Sequence, residues 1–104
     1  MPYVAKSKLR TFPNVFTNVE EYRNFCTNLT EYVSAVLATE LLISEGKILS
    51  INSAIDNNKD LIFTRTWVDQ QSADDYRNGP VFTAWKNKWT ELGWVLTPLE
   101  SYTT

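Results

Sequence analysis

Residues 47–56 and 61–68 constrain the fold of this chain more than any other stretch. They read Lys-Ile-Leu-Ser-Ile-Asn-Ser-Ala-Ile-Asp and Leu-Ile-Phe-Thr-Arg-Thr-Trp-Val, rich in β-branched and aromatic types. Asn57-Asn58-Lys59-Asp60 between them has the composition of a turn. Two strands joined so closely predict a β-hairpin in mid-chain. Patterns of helical period lie on either side of it, and each borders a further strand.

At the start, Tyr3, Ala5, Ser7 and Leu9 share one side of a period-two pattern, with Val4, Lys6, Lys8 and Arg10 on the other. Asn18 followed by Glu21 resembles a capping box. Val19, Tyr22, Phe25, Cys26, Leu29, Tyr32, Val33, Val36 and Leu37 then fit one helical stripe, which predicts a helix over about 19–38. Leu41-Leu42-Ile43 either continues it to a cap at Gly46 or turns at Glu45-Gly46 into the next strand. After the hairpin, Ser72 and Asp75 resemble a second capping box. The helix they open breaks near Gly79-Pro80 and resumes with Val81, Phe82, Trp85, Trp89 and Leu92 on one face, until Gly93 stops it. Trp94-Val95-Leu96-Thr97 reads as a last strand, which Pro98 confines to an edge or bend. The order β-α-β-β-α-β predicts an α+β, ferredoxin-like sandwich, an antiparallel sheet with two helices on one face. Ile48, Leu49, Ile51 and Ile55, then Leu61, Ile62, Phe63 and Val68, place apolar residues on both parities of the hairpin. The uncovered sheet face is therefore expected to be apolar and buried. That predicts a homodimer joined through this face and the C-terminal strand, since a monomer would expose the patch.

The 104 residues suit a single domain, with 43% hydrophobic and 21% charged residues. Histidine is absent and cysteine occurs once, at Cys26. Ser-His and Cys-His catalysis are excluded, and the usual zinc and haem ligands are missing. The expectation is no cofactor and no metal. A lone thiol fits a reducing compartment. No secretory apolar segment follows Met1, and no apolar run approaches the ~20 residues of a membrane helix. The expected location is cytoplasmic, with no membrane as partner. A net charge of −2 gives no field to attract nucleic acid, which is not expected as a partner. Lys6, Lys8 and Arg10 form a basic strand face that reads first as a solvated edge.

Residues 47–97 resemble the dimeric α/β-barrel superfamily, in particular its antibiotic-biosynthesis-monooxygenase-like branch. The resemblance rests on Thr64-Arg65-Thr66-Trp67 at the hairpin end, Ser72-Ala73-Asp74-Asp75-Tyr76 at the helix entry, and Gly79-Pro80-Val81-Phe82-Thr83-Ala84-Trp85 beyond. It implies a ferredoxin-like fold and dimerisation. Where relatives often place histidine before the phenylalanine, this chain has Val81. The haem-degrading members rely on a histidine to bind iron.

Five residues are candidate ligand contacts, and none is assigned as catalytic. Arg65 shares parity with Leu61, Phe63 and Trp67. It is either an anion clamp or a charge paired with an acid or held at the sheet rim. Trp67 ends a strand and reads as ligand-facing. Tyr76 and Asn52, with Ser50, offer hydroxyl or amide contacts. Trp85 is either an aromatic wall for a flat ligand or part of the core stripe, and the stripe is preferred. Three functions follow: first, a non-catalytic homodimeric binding or interaction protein with a small aromatic or anionic ligand. Its alternatives are a cofactor-independent monooxygenase- or isomerase-like enzyme, and a weak nucleic-acid-associated protein.

Overall fold

The computed structural model describes residues 1–104. Its elements are β1 (Tyr3–Arg10), α1 (Val19–Cys26), α2 (Thr30–Ser44), β2 (Ile48–Ile55), β3 (Leu61–Trp67), α3 (Gln70–Arg77), α4 (Pro80–Leu92) and β4 (Val95–Thr103). The strands form one antiparallel sheet in the order β2-β3-β1-β4. This is the ferredoxin-like α+β sandwich that the sequence predicts. No helix is long and apolar enough to cross a membrane.

The first predicted helix is divided in two, and the second breaks at Gly79-Pro80 as expected. α1 opens on Asn18, whose side chain accepts from the Glu21 backbone N–H at 2.9 Å. The Glu21 carboxylate reaches back to Thr17, accepting from its N–H and its hydroxyl, both at 2.8 Å. Those bonds, the backbone one foremost, hold the Glu21 carboxyl below its ordinary range. The expected continuous helix over 19–38 stops at Cys26, because the backbone leaves the helical region at Leu29, which is extended (φ −103°, ψ 117°); Thr27 sits in the closing turn. Its N–H bonds Arg23 O and its hydroxyl bonds Asn24 O, the local competition that makes such residues poor in helix interiors. α2 starts afresh at Thr30 with a new phase. Its inner face runs through Tyr32, Ala35 and Leu42, while Val33 and Leu37 of the expected stripe face solvent. α2 ends in a cap at Gly46 (φ +75°), with Lys47 N–H on Leu42 O and Gly46 N–H on Ile43 O. That is the first of the two endings open in the sequence.

The N-cap of α3 is Asp69, three residues before the Ser72 expected from sequence. Its carboxylate accepts from the Ser72 N–H at 2.8 Å. The Ser72 backbone bond keeps the Asp69 carboxyl below its ordinary range. Asp69→Ala is expected to lower stability measurably, and Asp69→Asn by much less. Urea unfolding of both variants checks this; equal losses would remove the cap from the explanation.

Two bulges set which residues face the helices. Leu49 on β2 and Leu99 on β4 are skipped in the strand pairing. The first returns Ile48, Ile51 and Ile55 to the helix side together, in line with the β3 row Leu61–Phe63–Arg65–Trp67. The opposite face of the hairpin is then Ser50, Asn52, Ala54, Ile62, Thr64 and Thr66, beside Lys6 and Lys8 of β1. The hairpin's part of the outer sheet face is therefore largely polar, while Val4 of β1 and Val95 and Tyr102 of β4 stay apolar on the same face. The expectation of an apolar face was wrong for the hairpin because it assumed unbroken alternation through Leu49. The second bulge lets β4 run past Pro98 along the sheet edge to Thr103, longer than the strand expected.

The space between sheet and helices holds two buried clusters. The larger contains Leu9, Phe16, Tyr22, Cys26, Ala35, Leu61, Trp85, Trp89 and Trp94. The smaller contains Tyr3, Ile48, Trp67 and Ala73.

Candidate ligand site at Arg65

Between the two clusters the sheet presents one row that is neither large nor wholly apolar. Ile51, Arg65, Ala5 and Ser101 lie side by side across β2, β3, β1 and β4. On one side stands the row of Ile48, Trp67 and Tyr3; on the other, Ser53, Phe63 and Ser7 precede Ile55, Leu61 and Leu9. Small side chains at Ala5, Ser7, Ser53 and Ser101 leave the helices little to pack against. Ile51 stays 39% exposed although it faces the helix side, so the layer is open at the β2 edge.

Arg65 is half-buried in this row. Its guanidinium carbon lies 5.6 Å from the ring centroid of Tyr76 on α3, a cation–π contact. The ion pairs of the chain are Arg10–Asp60, Lys47–Glu45 and Lys88–Glu91. Arg65 belongs to none of them, and its side chain makes no hydrogen bond within the chain. Of the readings open in the sequence, the paired charge is thereby removed. The Arg65 charge also reaches the Tyr22 hydroxyl, where it works against the burial that pushes this group well above its ordinary range.

Tyr76 joins Arg65 to an aromatic wall. Its ring centroid is 5.8 Å from Trp67 and 5.4 Å from Phe82. It also lines a cleft of about 250 Å³ between α2 and the α3–α4 step. Trp67 itself is 1% exposed, packed among Tyr3, Ile48 and Ala73. It backs the tyrosine and does not face solvent, contrary to the ligand-facing expectation. Its indole N–H is buried without a partner. At the neighbouring Tyr3 a hydrogen bond with Ser101, then Arg77, draws the phenol below its ordinary range.

The five sequence candidates thus divide. Arg65, Trp67 and Tyr76 come together. Asn52 pairs with Thr64 and Ser50 with Thr66, so both lie on the sheet face opposite Arg65. Trp85 lies in the larger core cluster, against Tyr32 at 5.5 Å and Trp89 at 5.4 Å. Ile51, Ser53 and Phe82 were not foreseen as site residues. Strand parity marks the first two only when the bulge at Leu49 is known. A second hollow, of about 240 Å³, lies at Arg10, Asn14, Lys59 and Asp60. Its arginine is already paired with the buried Asp60 at 3.4 Å.

No protein-family model matches the sequence. No curated protein matches it either. Among solved structures, the chain is similar to that of Rv0793 from Mycobacterium tuberculosis, with a TM-score of 0.55 and 12% identity. The alignment covers 100% of this chain and 98% of that one. At this identity the likeness establishes the fold alone.

Proposed function

We propose that this protein is a non-catalytic, homodimeric binding protein that holds the anionic group of a small ligand at Arg65. The observation that carries the reading is the unpaired, half-buried guanidinium. A charge taken partly out of water without a partner is unfavourable. An arginine fork is suited to a carboxylate, which it grips with two parallel bonds. Tyr76 and Phe82 offer the body of the ligand an aromatic surface, which favours a carboxylate on a flat or apolar frame. The shared fold and the hairpin-to-helix segment 47–97 support placing the chain among the dimeric α/β barrels, near the antibiotic-biosynthesis-monooxygenase-like branch.

Benzoate and phenylacetate, each beside its uncharged amide, are the probes. The acids are expected to raise the melting temperature and shift the Tyr76 and Arg65 resonances, while the amides do neither. Arg65→Gln is expected to weaken binding by roughly 10- to 100-fold, the worth of charge-assisted hydrogen bonds. Arg65→Met is expected to leave stability unchanged or raised, because it removes an uncompensated charge. Undiminished binding by Arg65→Gln, or a marked loss of stability in Arg65→Met, would assign the arginine a structural role.

A further inference from the structure

The β2–β3 turn and the loop after β1 border the hollow of about 240 Å³. Both walls are held from behind. In the turn, the Asp56 carboxylate accepts from the N–H of Asn58 and of Asp60, each at 2.9 Å. In the loop, the buried Thr11 donates its hydroxyl to Asn14 O at 2.7 Å. The Trp94 indole N–H bonds Asn14 Oδ1 at 3.1 Å. An indole only donates, so the oxygen end of Asn14 is turned to the tryptophan and its amide N–H₂ is left without a partner in the chain. Arg10 meets Asp60 through Nε at 3.5 Å and one Nη at 3.4 Å, and the rest of its N–H donors stay free. The Arg10 side chain is 58% exposed and that of Asp60 only 4%. The acid holds the guanidinium from below, and the charge presented to solvent is positive. Lys59 adds a second cation that belongs to no ion pair. It is also the non-glycine residue of the chain at positive φ (+65°), a conformation that favours glycine or asparagine. The turn itself does not call for a lysine there.

From this convergence of free donors we infer that the hollow binds the phosphoryl group of a small phosphate monoester, whose flat or apolar body lies on Phe12. The donors come from three chain segments: the end of β1, the loop and the turn. They approach from different directions, which suits a tetrahedral, doubly charged oxyanion; a planar carboxylate is satisfied by a single arginine fork. Phe12 and Val15, 71% and 59% exposed, add an apolar rim. The volume is below the ~300–1,000 Å³ of drug-sized ligand sites, so the ester is a small one. The hollow is separate from the carboxylate site. Arg65 pairs with Ala5, roughly 16 Å along β1 from Arg10 at the strand rise.

Phenyl phosphate, inorganic phosphate and phenol, titrated into the full chain and followed by backbone amide resonances, are the test. Phenyl phosphate is expected to shift Asn14, Asn58 and Lys59 and to bind more tightly than inorganic phosphate, while phenol shifts none of them. Lys59→Gly is expected to weaken phenyl phosphate roughly tenfold, as for the loss of a charge-assisted hydrogen bond. Its melting temperature should be kept or raised, because glycine accepts the positive φ. Phe12→Ala should abolish the preference for the phenyl ester. Arg65→Gln should change nothing at this site. Undiminished binding by Lys59→Gly overturns the inference. So do shifts that disappear in Arg65→Gln, a preference that survives Phe12→Ala, or no response at millimolar phenyl phosphate.

Discussion

Trp85→Ala is expected to destabilise the protein by about 3–5 kcal/mol, a large part of the whole stability of a domain, which is of order 5–15 kcal/mol. Trp85 is 6% exposed, at the centre of the larger cluster. Its ring meets Tyr32 of α2 at 5.5 Å, Trp89 at 5.4 Å and Trp94 at 6.4 Å, all near edge-to-face. That geometry suits aromatic quadrupoles. The same ring ties α2 to α4, so its loss opens a cavity at the seam between the helices. Relaxation there is limited by Trp94, whose indole N–H is held by the Asn14 side chain at 3.1 Å. In urea the midpoint should fall by about 1 M or more, given slopes of 1–3 kcal/mol per molar. Trp85→Phe should recover much of the loss. If Trp85→Ala kept its midpoint and instead lost carboxylate binding, the ring would belong to the ligand site and not to the core.

The elements legible in the sequence were those whose signal is local. Period two at Tyr3–Arg10, the turn before Leu61 and the Gly93 stop each name a structure without help from elsewhere. The order of elements then follows, and with it the fold. What was lost depended on phase. One extended residue at Leu29 interrupts a helix whose apolar spacing runs on unbroken in the sequence, and the restart moves Val33 and Leu37 to the surface. One unpaired residue, Leu49, reverses the parity of the rest of β2. Neither event changes composition, so neither is visible in a count of apolar residues.

The site divides in the same way. Parity with Leu61, Phe63 and Trp67 placed Arg65 on the helix side, and the neighbouring helix entry supplied Tyr76. Whether an acid stood opposite the guanidinium was a tertiary question. Two of the acids near it in sequence are engaged elsewhere: Asp69 caps α3, and Asp75 accepts from the Gln71 side chain at 2.8 Å. Asn52 falls outside this arrangement because its neighbour Ile51, not Asn52, pairs with Arg65.

Stability is expected to fall as pH rises from 9 toward 12, with Cys26 as the first cause. Cys26 is wholly buried in the larger cluster. Burial pushes its thiol from 9.0 up to about 12, with a hydrogen bond from Tyr22 pulling the other way. Between those values the unfolded chain has lost the proton and the folded chain keeps it. The folded state therefore binds more protons in that window, and stability falls with rising pH by as much as ~1.4 kcal/mol per unit. Below pH 9 the contribution is fully present; by pH 12 roughly 4 kcal/mol is lost. Tyr22 adds to the loss at higher pH, since burial raises its phenol well above 10.0 as well. Urea midpoints at stepped pH should thus decline for the parent from pH 9, and Cys26→Ala should flatten the first part of that decline. Tyr22→Phe should flatten only the part above pH 10. The same burial keeps the thiol protonated and shielded at pH 8, so iodoacetamide should label Cys26 only as fast as the chain opens. Parallel pH curves for parent and Cys26→Ala, or prompt labelling of the folded protein, would mean that the thiol is not held in the core as described.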